Sequence, residues 1–193
     1  MKTVSVTRED MEKRTVRFRR LESYQQQHEK LGIPDAAFDG IAARRVYPIM
    51  VPEAYSGRSA MAPLKGAPGL AVTIAECPPG NGAGLHAHEQ SVENFFCLDG
   101  RFEIAWGDAG EHSTMLEPMD FISIPAGVCR SFKNLGDKTA RLLVIIQILG
   151  PEQADRVHYA PQIGAAIAKS HGGDALAALS RIGFKFDAGA DQA

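Results

Sequence analysis

Two histidines and a glutamate stand close together in the stretch PGNGAGLHAHEQSVENFFCLDG, residues 79–100. His86 and His88 are two residues apart, so in a strand both imidazoles lie on one face. Glu93 follows five residues later, and a second strand that pairs back would place it opposite them. Neutral imidazoles and a carboxylate bind iron, manganese, nickel or zinc, and three ligands leave positions open for substrate or water. The alternative is two surface histidines and a solvated acid near a turn.

The segments around these residues predict a β-domain. Short apolar runs recur every 8 to 15 residues from about residue 69, with turn sequences such as Asp99-Gly100 between them. The predicted strands are Leu70–Glu76, Glu93–Leu98, Arg101–Trp106, Phe121–Ile124, Val128–Phe132 and Arg141–Leu149. This pattern favours an all-β sandwich or barrel over residues 65–150.

The two ends of the chain differ from this region. The first part is mixed, with helix expected around one short strand at Thr15–Leu21, and frequent Pro and Gly residues then favour loops and edge strands. After Gly150-Pro151 the chain is rich in alanine, which predicts helices at Pro161–Ser170 and Asp174–Ile182, with Asp174 as an N-cap. This tail is too short for a core of its own, so we expect it to cover the β-domain.

The spacing of glycines around the two histidines resembles the first motif of the cupin superfamily. Every fixed position of that motif is matched, by Gly80, His86, His88, Glu93 and Gly100. The second cupin motif is matched in part. Its proline, glycine and asparagine are Pro125, Gly127 and Asn134, whereas Met119 replaces its leading glycine and Arg130 its histidine.

The resemblance implies an all-β fold, a cupin jelly-roll β-barrel closed enough to hide most strand edges and open at one mouth. The expected organisation is an N-terminal arm over residues 1–64, the barrel over 65–150 and a C-terminal helical tail over 151–193. It also implies one divalent metal ion (Fe, Mn, Ni or Zn) held by His86, His88 and Glu93, a small-molecule ligand in the barrel mouth, and a homodimer.

Arg130 complicates this ligand set because a guanidinium stays protonated and cannot ligate a cation. One outcome is a metal on the other three residues, with Arg130 beside it binding a substrate carboxylate or enolate. A second is an Arg130–Glu93 ion pair that replaces the metal. The third is a shifted register in which Arg130 points elsewhere. Gln147, inside an apolar strand, is a second substrate-binding candidate if it points into the barrel, and otherwise caps the strand end.

Composition excludes several other functions. The net charge is −2, so no basic excess indicates nucleic acid or an anionic membrane surface. Three cysteines give no disulfide framework, no apolar run reaches the length of a membrane span, and the first residues lack the apolar stretch of a signal peptide. We therefore expect a cytoplasmic location, with neither a nucleic acid nor a membrane as partner.

Three functional hypotheses follow. The first is a metal-dependent cupin enzyme, dioxygenase-like or of the isomerase or lyase type, acting on a small polar or carboxylated molecule. The second is a metal-free, non-catalytic cupin that binds a small molecule through Arg130. The third is a barrel that serves self-association. The state of the Glu93–Arg130 pair separates the first two.

Overall fold

Two facing β-sheets are the main regular structure of the protein in the computed structural model, which describes residues 1–188. The strands are β1 (Arg45–Pro52), β2 (Leu64–Gly66), β3 (Leu70–Cys77), β4 (Gly82–His88), β5 (Ser91–Cys97), β6 (Phe102–Trp106), β7 (His112–Leu116), β8 (Phe121–Ile124), β9 (Arg130–Asn134), β10 (Ala140–Ile148), β11 (Val157–His158) and β12 (Phe184–Lys185). The α-helices are α1 (Arg8–Lys13), α2 (Tyr24–Glu29), α3 (Pro161–His171) and α4 (Gly173–Arg181), and short 3₁₀ helices span Phe18–Arg20 and Asp35–Phe38. None of the helices within residues 1–188 has the length and apolar character needed to cross a membrane.

The first sheet has the order β2-β1-β3-β10-β5-β8 and the second β12-β11-β4-β9-β6-β7. This is a jelly-roll type of β fold, and its core lies between the two inner faces. The expectation of a closed barrel needs correction, because the strands of residues 1–188 hydrogen-bond as two separate sheets. The edges of these sheets are therefore not removed by closure.

Small side chains on β3 leave space between the sheets. Residues alternate along this strand, and Ala71, Thr73 and Ala75 are the buried positions that point inward. The neighbouring strand β10 in the same sheet presents larger side chains such as Val144, which is in register with Thr73. The contrast opens a cavity near one end of the sandwich.

Both ends of the chain pack together over that cavity. A second apolar cluster joins Tyr24, Phe38 and Ile41 from the N-terminal part to Tyr159 and Phe184 from the tail. The N-terminal part also supplies β1 to the first sheet, and the tail adds β11 and β12 to the edge of the second. The N-terminal part and the tail therefore contribute strands to the two sheets and also cover the cavity.

Two local expectations are wrong. Thr15–Leu21 forms no strand. It contains the 3₁₀ turn Phe18–Arg20, and the Phe18 ring packs against Tyr47 with the ring centroids 4.9 Å apart. Gly172, not Asp174, is the N-cap of α4. The same glycine, with φ of 87°, is also the C-cap of α3. Asp174 lies in the first turn of α4, where its charge complements the helix dipole.

Candidate functional site

The β4 strand carries both histidines into the interior. Ala83 and His86 are both buried although they are three positions apart, because a bulge between them shifts the alternation of the strand. The bulge requires glycine. A Cβ on Gly84 would lie 2.6 Å from the carbonyl oxygen of Gly40. After the bulge the alternation resumes, and His86 and His88 point inward together as the sequence predicts.

Glu93 reaches the same place from the opposite sheet. It lies on β5, in register with Ile146 of β10 and Ile124 of β8. Its Oε2 atom is 3.9 Å from Nε2 of His86 and 3.5 Å from Nε2 of His88. One potential ligand atom from each of the three residues lies within 4.8 Å of the others, and all three residues are buried. The three side chains that the sequence predicts as metal ligands thus lie close together and could hold a metal ion.

Each imidazole is held by its other nitrogen. His86 Nδ1 is 2.7 Å from the carbonyl oxygen of Gly84, and His88 Nδ1 is 2.6 Å from Oδ1 of Asp155. Both acceptors favour a proton on Nδ1, which leaves the Nε2 lone pairs directed towards Glu93. His88 Nε2 is buried without a hydrogen-bond partner. These residues therefore fit a divalent cation, since an unpartnered buried lone pair beside a carboxylate is what such an ion binds.

Arg130 lies behind Glu93 and is completely buried. It is the first residue of β9 and is in register with His86. Its Nε atom donates to Oε2 of Glu93 over 3.1 Å, and Nη1 donates to the carbonyl oxygen of Val128 over 2.8 Å. Nη2 has no partner. The shifted-register outcome is thus excluded, whereas the ion pair of the second outcome is present.

The buried charges in this region balance, and the surroundings of His86 favour its neutral form. The carboxylates of Glu93 and Asp155 stand against the guanidinium groups of Arg130 and Arg58. Burial, His88 and Arg130 together lower the pKa of His86 well below its ordinary value. Burial raises the pKa of Asp155, but the interactions of its carboxylate with His88 and Arg58 outweigh this effect, and the net pKa is lowered. A neutral imidazole is the form that ligates a metal.

A cavity of about 610 Å³, part of it open to solvent, adjoins the three residues. Its walls include the phenol rings of Tyr24, Tyr55 and Tyr159. Tyr159 stacks on His86 with the ring centroids 5.2 Å apart. Burial raises the pKa of Tyr55 to about 12, so its hydroxyl stays protonated and can donate to a ligand. The lining combines apolar and polar side chains, as small-molecule sites do.

Gln147 does not belong to this site. It lies on β10 between the buried residues Ile146 and Ile148, and alternation turns its side chain to the exposed outer face. The prediction that it points into the barrel is wrong. An amide in an apolar strand is as compatible with the solvent face as with the interior, and the strand pattern alone did not decide between the two.

Comparison with a protein-family model agrees with this architecture. A family model described as a cupin domain matches residues 73–146. This segment is a cupin domain. Similar solved structures include the cupin domain of Cnp3 from Schizosaccharomyces pombe, at 21% identity and a TM-score of 0.40, with 44% of this chain and 59% of that chain covered. A predicted oxalate decarboxylase from Thermotoga maritima has 24% identity and a TM-score of 0.38, with 41% and 66% covered.

A structure reported for DMSP lyases has 21% identity and a TM-score of 0.43, and it covers 56% of this chain and 49% of that chain. The chain thus spans less than two thirds of each of these three neighbours. No curated protein matches the sequence.

The glycines of the cupin motifs have a common structural reason. Gly80, Gly100 and Gly127 all have positive φ, of 75°, 77° and 77°. Met119, at the position where the family has glycine, has φ of 78° and is the one non-glycine residue with positive φ among residues 1–188. Met119 therefore has the same positive φ as these three glycines although it carries a side chain.

Two residues of the site were missed by the sequence analysis because they lie outside the cupin domain. Asp155 comes from the tail and contacts His88, and Arg58 comes from the N-terminal part and pairs with both carboxylate and carbonyl of Asp155. Neither residue is part of a motif. Their placement depends on how the two ends pack over the cavity, which no local pattern encodes.

Proposed function

We propose that the cavity is the active site of a metal-dependent cupin enzyme, of the oxygenase, isomerase or lyase type, which acts on a small polar or carboxylated molecule. The observation that carries this proposal is the convergence of His86 Nε2, His88 Nε2 and a Glu93 carboxylate oxygen within 4.8 Å of one another. Three ligands from the protein leave further positions of a metal available to substrate.

The residues around the donors have separate roles in this proposal. His86, His88 and Glu93 would hold a divalent ion such as Fe, Mn, Ni or Zn, which would supply Lewis acidity or a meeting place for oxygen and substrate. Arg130 fixes the Glu93 carboxylate through Nε. The fork of a guanidinium directs Nη2 to the same side as Nε, so the unpartnered Nη2 is available to a substrate carboxylate that enters beside Glu93.

Elemental analysis of untagged protein tests the metal. We expect near one equivalent in the wild type and a loss of metal in His86→Ala and Glu93→Ala. His112→Ala is the matched control, because His112 is an exposed histidine on β7 away from the cavity. Gln147→Ala controls for a polar substitution on the outer face. Equal metal content in all variants would show that the ion binds elsewhere.

The identity of the metal then separates the reaction types. If the chemistry involves oxygen, iron(II) restores turnover in stripped protein and zinc does not. Turnover with zinc alone would exclude the oxygenase and leave isomerase or lyase chemistry. The assay follows oxygen consumption and substrate loss in parallel over a panel of small carboxylates and hydroxy acids.

A second candidate, a metal-free protein that binds a small anion, is favoured by the Arg130–Glu93 pair. Its Nε–Oε2 distance of 3.1 Å and its burial show that a guanidinium already neutralises the carboxylate. This candidate predicts no metal in the wild type after incubation with iron, manganese, nickel and zinc. It also predicts binding of small carboxylates that is lost in Arg130→Met.

A further inference from the structure

We infer that Asp155, which lies on the C-terminal tail and pairs with Arg58, is a positioning residue for His88. The inference deepens the proposed function and rests on it where metal binding is concerned. It assigns to the two chain ends a part of the site that the cupin domain does not contain, since both Arg58 and Asp155 lie outside residues 73–146.

The contacts of Asp155 are divided between its two oxygen atoms. Oδ1 is 2.6 Å from Nδ1 of His88, and Oδ2 accepts from Nη2 of Arg58. Nη1 of Arg58 donates over 2.7 Å to the backbone carbonyl oxygen of the same aspartate. Asp155 is 2% exposed, so water does not compete for these bonds. The carboxylate is therefore fixed in both position and rotation.

The backbone explains how the tail brings Asp155 to this point. β11 pairs antiparallel with β4, and Val157 is in register with His88. Asp155 lies two residues before Val157, at the end of that pairing, and reaches the side of the imidazole that faces away from Glu93. Since β11 also pairs with β12, this placement depends on the docked tail as a whole.

The chemistry of the contact determines which nitrogen of His88 carries the proton. A carboxylate only accepts hydrogen bonds, so Nδ1 must donate and Nε2 keeps its lone pair. His86 obtains the same tautomer from the Gly84 carbonyl on its own strand. The two histidines are thus supported differently, one from within the cupin domain and the other from the tail.

A purely structural role for Asp155 is the competing explanation. In that case the aspartate serves to pair with Arg58 and join the two chain ends, and its contact with His88 is incidental. The two explanations differ in the Arg58→Met variant. It removes the ion pair but retains the acceptor for His88, whereas Asp155→Asn removes the carboxylate itself.

The first test measures the tautomer of His88 in metal-free protein at pH 8, by long-range ¹⁵N–¹H correlation of the imidazole nitrogens, with His88→Gln used for assignment. We expect the Nδ1–H tautomer in the wild type and in Arg58→Met. We expect Asp155→Asn to populate the Nε2–H tautomer, because an amide can donate to Nδ1. Glu152→Gln, which alters an exposed ion pair nearby in the tail, is the control and leaves the tautomer unchanged.

The second test measures the affinity for Co²⁺ and Zn²⁺ by competition with a chromophoric chelator. Loss of a carboxylate that orients a ligating histidine weakens metal affinity by about 10- to 100-fold. We expect this loss in Asp155→Asn, together with a changed visible spectrum of bound Co²⁺, and wild-type affinity in Glu152→Gln. If Asp155→Asn does not fold, the double variant Arg58→Met/Asp155→Asn, which removes both buried charges, is measured instead.

An unchanged His88 tautomer in the Asp155 variants would overturn the inference, as would equal tautomer changes in Arg58→Met and Asp155→Asn. A wild type that binds no metal would refute the proposed function, yet the tautomer measurement would still decide whether Asp155 positions His88. The two failures are therefore distinguishable.

Discussion

The buried pair Arg130–Glu93 should show strong energetic coupling in metal-free protein. Its Nε–Oε2 distance is 3.1 Å, and the two side chains are 0% and 7% exposed. At an effective dielectric constant of about 20, opposite unit charges at this separation attract by about 5 kcal/mol. Removing one partner leaves a buried charge unpaired, which costs about 3–5 kcal/mol, whereas replacing both by neutral groups is close to neutral. The two single losses less the small double loss amount to about 6–10 kcal/mol, so the coupling energy should be at least about 5 kcal/mol.

A double-mutant cycle with Glu93→Gln and Arg130→Met measures this coupling. Urea unfolding and thermal melting are followed in EDTA by far-UV circular dichroism and by fluorescence of the single tryptophan, Trp106, which is in register with Arg130. We expect Glu93→Gln to lower the Tm by about 6–20 °C, the shift that corresponds to such a loss in a chain of this size. The double variant should regain much of that loss.

The chain contains a matched control for this cycle. Arg101 and Glu117 form an ion pair with the same Nε-to-carboxylate distance of 3.1 Å, but both side chains are 56% exposed. An exposed pair of this kind couples by about 0–1 kcal/mol. If the Arg130–Glu93 coupling were no larger than that of the control, Glu93 would not be an ionised partner of Arg130, and the metal-free anion-binding alternative would lose its support.

Three further predictions concern residues away from the donor set. Met119→Gly should raise the free energy of unfolding by about 0.5–1 kcal/mol in urea titrations, because Met119 has φ of 78°; Met119→Ala, which keeps a Cβ, should give no gain. Asn134→Ala should lower the free energy of unfolding by about 2–4 kcal/mol, because the buried amide donates to the carbonyl oxygens of Cys77 and Lys138 at 2.8 Å. A loss below about 1 kcal/mol would contradict this expectation. Burial lowers the pKa of His28 from 6.5, so the folded state takes up its proton less readily than the unfolded state. The stability of the folded state should therefore fall as the pH drops below about 6.5, and this fall should be less steep in His28→Gln. Thermal melts across about pH 5–8 measure the difference.

The strands of the cupin domain could be predicted because their signals are local. Phe121–Ile124 was predicted with the observed bounds, and Arg141–Leu149 differs from β10 by one residue at each end. The shared face of His86 and His88 follows from alternation alone, although the bulge before His86 was not foreseen. Residues close in sequence and regular in spacing thus carried the correct part of the site prediction.

The remainder depended on contacts between distant parts of the chain. Thr15–Leu21 contains residues that favour strands, but no strand among the described residues pairs with it. Its strand propensity alone therefore does not make it a strand. The pairing of Arg58 with Asp155 bridges 97 positions of the chain, and no periodic pattern predicts it. The homodimer and the cytoplasmic location stay predictions.

The division of the site between a local and a distant part has a kinetic consequence. His86, His88 and Glu93 span eight residues around one short connection between β4 and β5, so these ligands can approach one another early in folding. Asp155 arrives only when the tail closes a far longer loop, a slower event. An ion bound before the tail docks would exchange readily. An ion bound in the folded protein would be released at the rate at which the tail opens. The residence time of a bound ion should therefore track local unfolding of β11, which amide hydrogen exchange at Val157 reports directly.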